Sequence, residues 1–196
     1  MTILFFGDSI TDVNKSYLNP LGLGYVSFLD KYFKEKLINE GISGNTSRDL
    51  VRRLKQDVLD VLPAKVYLMI GINDVWQHFK SIYEGHTVGE LEYKENIETI
   101  AEHIVRNNIE LVVLSPFYLN QDKEDPMFSL TKKYQEILKV VADEYNLDYI
   151  DVQKEMDKYL ENNDVSSISD DYVHVNDLGH EIIKDSILKY EKKTTA

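Results

Sequence analysis

The stretch FFGDSIT, residues 5–11, is an apolar run that stops at glycine, aspartate and serine. An apolar run bounded by turn-forming residues predicts a short strand that ends in a turn. Ser9 would then lie at the carboxyl end of this first strand. Ligands bind at the carboxyl ends of strands in open α/β sheets. A serine at this place is either a nucleophile or an ordinary turn or cap residue, and the stretch alone does not separate the two.

Four further segments predict strands, and segments with helical apolar spacing lie between them. The strands are 37–43, 65–71, 109–117 and 147–152, and the helices are 24–36, 47–62, 90–106, 130–145 and about 177–190. Continuous apolar runs, as at 66–70 and 111–114, are typical of strands covered on both faces. The alternation predicts right-handed βαβ units in a three-layer α/β/α sandwich. Ser47 and Asn176 are predicted helix N-caps, and 81–90 and 120–126 are predicted long loops.

The composition limits the classes of function. The 196 residues predict one domain, 1–196, and the 34 acidic and 22 basic side chains leave a net charge of −12, which disfavours nucleic acid and anionic membranes as partners. There is no cysteine, so disulfides and thiolate chemistry are excluded. No signal peptide or membrane-spanning run is recognisable, which predicts a cytoplasmic protein. We expect no metal and no cofactor, and a homo-oligomer stays open.

A serine nucleophile needs a base, and one histidine of the five has a suitable setting. Asp171 precedes His174 by three residues in DDYVHVNDLGH, just before the last predicted helix. A single turn can bring such a pair together, so that the carboxylate orients the imidazole. His180 is expected to pack at the start of that helix. The pair alone is weak evidence, because surface turns often contain both residue types.

Two more predicted strand ends contain groups that could stabilise an oxyanion. Gly44 in GISGNT (41–46) could offer a backbone N–H, and Asn73 in GIND (71–74) could offer a side-chain amide. Gly and Asn also form turns for purely structural reasons. Turn chemistry does not explain why three strand ends and the last loop together carry Ser, Gly, Asn and an Asp/His pair.

The blocks GDSIT, GISGNTSRDL, GIND and DYVH, in this order over nearly the whole chain, resemble the conserved blocks of the SGNH (GDSL) hydrolases. The resemblance implies a flavodoxin-like sheet of five parallel strands and an esterase with a Ser/His/Asp triad. Carried over by block, Ser9 is the nucleophile, and Asp171 and His174 complete the triad. Gly44 and Asn73 form the oxyanion hole with the Ser9 backbone N–H.

A narrower resemblance concerns GLGYV (22–26), MIGINDVW (69–76), and SPFY (115–118) followed by DPM (125–127). These are similar to bacterial intracellular acetylxylan esterases, which deacetylate xylo-oligosaccharides. The resemblance implies a small acetylated sugar as substrate. Val175 stands where many members have proline, and Asp170 stands where acetylxylan-type relatives have an aromatic residue. Asp8, Trp76 and Phe117 are the residues we expect around the substrate pocket.

Three alternatives remain open at this point. A lysophospholipase or thioesterase of the same superfamily would need an apolar groove for a long acyl chain. A non-catalytic flavodoxin-like binding module would keep the fold without turnover. A metal-dependent hydrolase would use Asp8, Asp171 and His174 as ligands.

Overall fold

Five parallel strands form one sheet in a computed structural model that describes residues 1–80, 82 and 85–194. The strands are β1 (Thr2–Gly7), β2 (Lys36–Gly41), β3 (Lys65–Met69), β4 (Glu110–Leu114) and β5 (Asp148–Ile150). Their order in the sheet is β2-β1-β3-β4-β5, with every neighbouring pair parallel. This is the flavodoxin-like order, so the predicted α/β/α fold with a five-stranded parallel sheet is confirmed.

Helices cover both faces of the sheet. They are α1 (Ser9–Asp12), α2 (Tyr25–Leu29), α3 (Ser47–Leu54), α4 (Ile72–Trp76), α5 (Glu90–Arg106), α6 (Pro126–Glu144), α7 (Val152–Leu160) and α8 (Asp177–Thr194). One apolar cluster joins the sheet to α3, α4, α5 and α6, and a second joins the other face to α2, α7 and α8. Side chains alternate between the clusters along each strand: Leu4 and Phe6 belong to the first and Phe5 to the second.

Among the described residues, no helix is both long enough and apolar enough to cross a bilayer.

The predicted helices differ from the observed ones mainly at their ends. Helix 90–106 is found as predicted, but the helix predicted at 24–36 ends at Leu29. The helix predicted at 130–145 begins at Pro126, because the Asp125 side chain accepts N–H groups of the first turn. Helix α7 was not predicted, since the expected strand at 147–152 overlaps its start. The predicted loop at 81–90 contains residues 81, 83 and 84, which lie outside the described residues.

One predicted N-cap is wrong and the other is right. Thr46, not Ser47, caps α3, and Asp49 completes a reciprocal capping box with it. Asn176 caps α8, because its side-chain oxygen accepts the N–H groups of Leu178 and Gly179 at 3.0 and 3.3 Å. The capping box places Ser47 inside the first turn of α3, where its hydroxyl is free to bond elsewhere.

The carboxyl ends of the first three strands are level with one another. Gly7 at the end of β1 pairs in register with Gly41 of β2 and Met69 of β3. The loops that follow these strands therefore emerge side by side at one edge of the sheet. This register brings the segments containing Ser9, Gly44 and Asn73 to the same edge.

Buried Asn39 on β2 holds the segment that follows α1. Its Nδ2 donates to the carbonyl oxygens of Thr11 and Leu21 at 2.7 and 2.8 Å, and its Oδ1 accepts the Gly41 N–H at 2.8 Å. All three hydrogen bonds go to backbone groups, and two of them lie in fully buried surroundings. The side chain thus joins the edge strand to the turn that follows Ser9.

His180 lies buried in the first turns of α8, in agreement with the prediction. Its ring contacts Tyr25 in a stacked geometry and Phe28 edge-on, with centroids 6.2 and 6.4 Å apart. Its Nδ1 has no hydrogen-bond partner among the described residues. Burial lowers the pKa of His180 to about 4, although the carboxylate of Asp177 acts in the opposite direction.

This buried imidazole predicts a loss of stability in acid. The unfolded chain binds a proton at His180 below about pH 6.5, whereas the folded chain resists it until about pH 4, so the free energy of unfolding falls as pH decreases between these values. Relative to His180→Leu, the native protein should lose about 3 kcal/mol over this range, measured by urea denaturation at several pH values. Phe28→Leu, which changes the packing but no titratable group, should leave the pH dependence unchanged. Parallel curves for the native protein and His180→Leu would contradict the prediction.

Candidate active site

Ser9 is the first residue of α1, directly after the turn that ends β1. The Asp8 side chain caps this helix by accepting the Ile10 N–H at 3.0 Å. Gly7 is required before it, because a Cβ there would lie 2.4 Å from the Thr11 hydroxyl and 2.6 Å from the Met69 carbonyl oxygen. The turn is therefore packed closely against Thr11 and Met69, while Ser9 remains partly exposed.

The structure brings Ser9, His174 and Asp171 into one hydrogen-bonded chain. Ser9 Oγ lies 3.1 Å from His174 Nε2, and His174 Nδ1 lies 2.7 Å from Asp171 Oδ2. An ionised carboxylate only accepts hydrogen bonds, so the proton on neutral His174 belongs on Nδ1. His174 Nε2 is then unprotonated and can accept the Ser9 hydroxyl proton.

The turn at 171–174 orients the carboxylate of Asp171. Its Oδ1 accepts the backbone N–H groups of Val173 and His174 at 3.0 and 2.7 Å. Tyr172 adopts a φ of +67°, in the left-handed region that non-glycine residues seldom occupy, and this allows the chain to fold back. Partial burial raises the pKa of Asp171, but the hydrogen bonds from His174 and from the two N–H groups outweigh it, and the net pKa lies below the ordinary value.

The histidine and aspartate of this chain of hydrogen bonds face solvent. The side chain of His174 is 60% exposed and that of Asp171 is 54% exposed. Solvent screens the charge interaction between them, so their geometry depends mainly on the turn at 171–174. The site is open to a molecule that approaches from the surface.

Gly44 lies on the loop after β2, and Asn73 lies in the first turn of α4, which follows β3. Gly44 has a φ of +83°, and a Cβ added to it would meet no atom within 4 Å, so its backbone faces open space. Asn73, near the start of α4, donates one Nδ2 proton to the Asn45 carbonyl oxygen at 2.9 Å. An amide has two such protons, so the second is available to another acceptor.

Arg53 is hydrogen-bonded to the segments that carry Ser9 and Gly44. The sequence does not predict this role. From α3, Arg53 donates to the Gly7 carbonyl oxygen at 2.9 Å and to Asn45 Oδ1 at 2.7 Å, and it pairs with Asp57 at 2.6 Å. The guanidinium thus contacts the end of β1 and the loop of Gly44 together. Arg53 is next to apolar residues of α3 in the sequence, and this could have indicated burial. An arginine on a helix is ordinarily expected to be exposed.

Two carboxyl groups, Asp8 and Asp74, are buried beneath the site. Burial raises the pKa of Asp8 to about 7, although the Ile10 N–H and the nearby charges of His174 and Arg53 lower it. Burial also raises the pKa of Asp74 to about 7, with hydrogen bonds from Ser47 acting against it. The hydrogen bonds to each carboxyl group offset only part of its desolvation, because both pKa values stay above the ordinary range.

The residues expected around the pocket have different surroundings. Asp8 and Phe117 are buried and both line a small cavity of about 10 Å³, which Ser9 itself does not line. Trp76 is half-buried on α4, one turn after Asn73, and Lys80 Nζ lies 4.7 Å from the centre of its ring. A larger groove of about 810 Å³ runs along the edge strand β2, and none of the predicted site residues line it.

The metal-dependent alternative requires Asp8, Asp171 and His174 to converge on one ion. Across residues 1–80, 82 and 85–194, no three acidic or histidine side chains are grouped so that they could hold a metal ion. Asp8 instead uses its carboxylate to cap α1, and Asp171 uses both of its oxygens on the 171–174 turn.

Comparison with known proteins identifies relatives over nearly the whole chain. Residues 5–182 match the model of the GDSL-like lipase/acylhydrolase family. An acetylxylan esterase of Geobacillus stearothermophilus is 31% identical over 202 residues, which cover 95% of this chain and 92% of that protein.

Solved structures agree with this relationship. An alpha/beta hydrolase from the metagenome of Lake Arreo, Spain, superposes with a TM-score of 0.91 at 30% identity, over 96% of this chain and 93% of its own. The Geobacillus acetylxylan esterase superposes with a TM-score of 0.90 at 30% identity, over 96% and 92%. Structures of that esterase include catalytic mutants in which a serine, a histidine and an aspartate are each replaced by alanine. The chain described here belongs to the GDSL-like lipase/acylhydrolase family and is an ester hydrolase.

Proposed function

We propose that this hydrolase is a serine esterase that removes short acyl groups, above all acetyl, from small alcohols such as xylo-oligosaccharides. Ser9 is the nucleophile, His174 the general base and acid, and Asp171 the residue that orients the imidazole. The Ser9 and Gly44 backbone N–H groups and the Asn73 amide form the oxyanion hole. The observation that carries the proposal is the hydrogen-bonded chain from Ser9 Oγ through His174 to Asp171 Oδ2.

The related esterase supports these roles. The residues replaced in its catalytic mutants are the same three types, and its aspartate precedes its histidine by three positions. Asp171 precedes His174 by the same interval. A binding module without turnover has no need of an imidazole held with its unprotonated nitrogen 3.1 Å from a strand-end hydroxyl.

The reaction takes place in two steps. His174 Nε2 takes the Ser9 proton while Oγ attacks the ester carbonyl, and the N–H groups of Ser9 and Gly44 with the Asn73 amide stabilise the oxyanion. The tetrahedral intermediate collapses, His174 gives the proton to the departing alcohol, and an acyl-enzyme remains. Water then attacks the acyl-enzyme with His174 as base. The acid is released and Ser9 regains its proton.

The two residues that flank Ser9 in the sequence, Asp8 and Ile10, line a small cavity, and we assign the acyl group to it. The cavity lined by Asp8, Ile10 and Phe117 measures about 10 Å³, which is close to the space that one water molecule needs. A methyl group is of comparable size, whereas a long alkyl chain has no room there. The exposed His174 leaves space for a bulky alcohol on the solvent side.

The sugar part of the proposal is based on relatives. The Geobacillus relative is described as an acetylxylan esterase and as an acetyl-xylooligosaccharide esterase. The half-buried Trp76 is near enough to Asn73 along α4 to line a sugar site, although its ring already contacts Lys80. The cytoplasmic location and a homo-oligomeric state stay predictions from the sequence.

Replacement of Ser9 by alanine tests the nucleophile. We expect Ser9→Ala to lower kcat for 4-nitrophenyl acetate by at least about 10³-fold, because a triad loses most of its effect when one member is removed. The matched control is Ser16→Ala, which removes an exposed hydroxyl from the next loop. The far-ultraviolet circular dichroism and the unfolding midpoint of Ser9→Ala should stay close to those of the native protein. A near-native kcat in the purified Ser9→Ala variant would contradict the proposal that Ser9 is the nucleophile.

A series of 4-nitrophenyl esters tests the acyl preference. We expect kcat/KM to fall from acetate to butyrate and to become very small for octanoate, because the longer chains collide with the walls of the small cavity. Acetylated xylo-oligosaccharides should release acetate, which can be measured by an enzyme-coupled assay. A kcat/KM that rises with chain length, or turnover of lysophospholipids but not of acetyl sugars, would favour the lysophospholipase or thioesterase alternative while leaving Ser9 as nucleophile.

A further inference from the structure

Two oxyanion donors of the proposed mechanism, Gly44 and Asn73, lie on a loop and on the helix α4, which no strand pairing holds together. Gly44 follows β2 and Asn73 follows β3, and β1 lies between these two strands in the sheet. An oxyanion hole works only when its donors are placed to within a few tenths of an ångström. Some other contact must therefore set the distance between that loop and α4.

Asp74 makes this contact from α4. Its two carboxylate oxygens each lie 3.0 Å from the Ser47 backbone nitrogen, and its Oδ1 lies 2.5 Å from the Ser47 hydroxyl. Both side chains are fully buried. Ser47 is the first residue of α3, three positions after Gly44. The loop of Gly44 is thus attached at its far end to the residue that follows Asn73.

The bonding around Ser47 explains why a carboxylate occupies position 74. Asn96 on α5 donates its Nδ2 proton to the Ser47 hydroxyl oxygen at 3.0 Å, so the hydroxyl proton points toward Asp74. Asp74 therefore faces two donors, the N–H and the O–H of Ser47. A side chain with two acceptor oxygens matches them, whereas an amide would place its own N–H groups against one of them.

A second hydrogen bond links the same loop to α4 beside the first. The Asn73 amide donates to the Asn45 carbonyl oxygen at 2.9 Å, one residue after Gly44. This bond sets the direction of the amide only while the loop keeps its distance from α4. The Asp74–Ser47 contact joins the end of that loop directly to α4.

We propose that Asp74 is a positioning residue of the oxyanion hole, which holds the Gly44 N–H and the Asn73 amide in the geometry that the transition state needs. The proposal rests on the function proposed above. Asp74 itself does not touch the substrate. It acts through Ser47 on one donor and through α4 on the other.

A double-mutant cycle between Asp74 and Asn73 tests this role. Asp74→Asn should lower kcat for 4-nitrophenyl acetate by about tenfold with KM changed less than about twofold, because only the transition state places charge on the oxyanion. Asn73→Ala alone should lower kcat by roughly 10²-fold. In the Asn73→Ala background, Asp74→Asn should have a much smaller effect on kcat, since one of the donors it positions is already missing.

Two further variants separate positioning from simple destabilisation. Tyr67→Phe removes a buried hydroxyl that bonds Glu191 on α8, away from Gly44 and Asn73. It should lower the unfolding midpoint but leave kcat per folded molecule unchanged. Ser47→Ala keeps the backbone hydrogen bonds to Asp74, so it should fold even if Asp74→Asn does not. Its kcat should fall by less than that of Asp74→Asn, with KM unchanged.

The outcomes distinguish this proposal from the proposed function. If Ser9→Ala is inactive but the effects of Asp74→Asn and Asn73→Ala on kcat multiply fully, the esterase mechanism stands and the positioning role of Asp74 is wrong. A change in KM alone, or normal kcat in folded Asp74→Asn and Ser47→Ala, would also overturn it. If Ser9→Ala keeps its activity, the proposed serine esterase mechanism is wrong, and the role of Asp74 in it is wrong as well.

Discussion

All five strands run in the same direction, so each connection must return across a face of the sheet before the next strand begins. The carboxyl ends of β1, β2 and β3 consequently lie level at one edge, and the turns that follow them are neighbours in space. Ser9, Gly44 and Asn73 meet there although they are far apart in sequence. The geometry of the proposed site depends on this parallel register before it depends on any single side chain.

Buried polar groups then fix the turns that the register brings together. Arg53 joins the end of β1 to the loop of Gly44, Asn39 joins β2 to the segment after α1, and Asp74 joins α4 to α3. Each such group loses hydration on folding, and its hydrogen bonds offset that loss. An apolar core could pack the same helices with less cost. It could not specify the distances between the loops so narrowly, because apolar contacts have no preferred direction.

The sequence predicts best the elements whose structure is determined by residues close to one another in the chain. Apolar runs at 66–70 and 111–114 and the regular spacing at 90–106 predict β3, β4 and α5, and the cap at Asn176 predicts the start of α8. The cap of α3 was assigned to Ser47 instead of Thr46, because both residue types cap helices and only the capping box with Asp49 decides between them. The residues carried over from the resemblance do lie together at one edge. The sequence does not predict the roles of Arg53 and Asp74, since a charged residue on a helix gives only a weak sign of burial until the facing elements are known.

The order of the proposed site residues along the chain determines when the site can form. Ser9 and His174 are separated by 165 positions, and the turn that holds Asp171 and His174 lies just before the last helix. Chains are synthesised from the amino terminus, and a contact between distant residues forms late because its loop must first close. A growing chain therefore contains Ser9 and all five strands of the sheet before His174, the base that we propose, has been synthesised. In the mechanism proposed above, a chain interrupted between Ser9 and His174 contains the nucleophile without its base and would have no esterase activity.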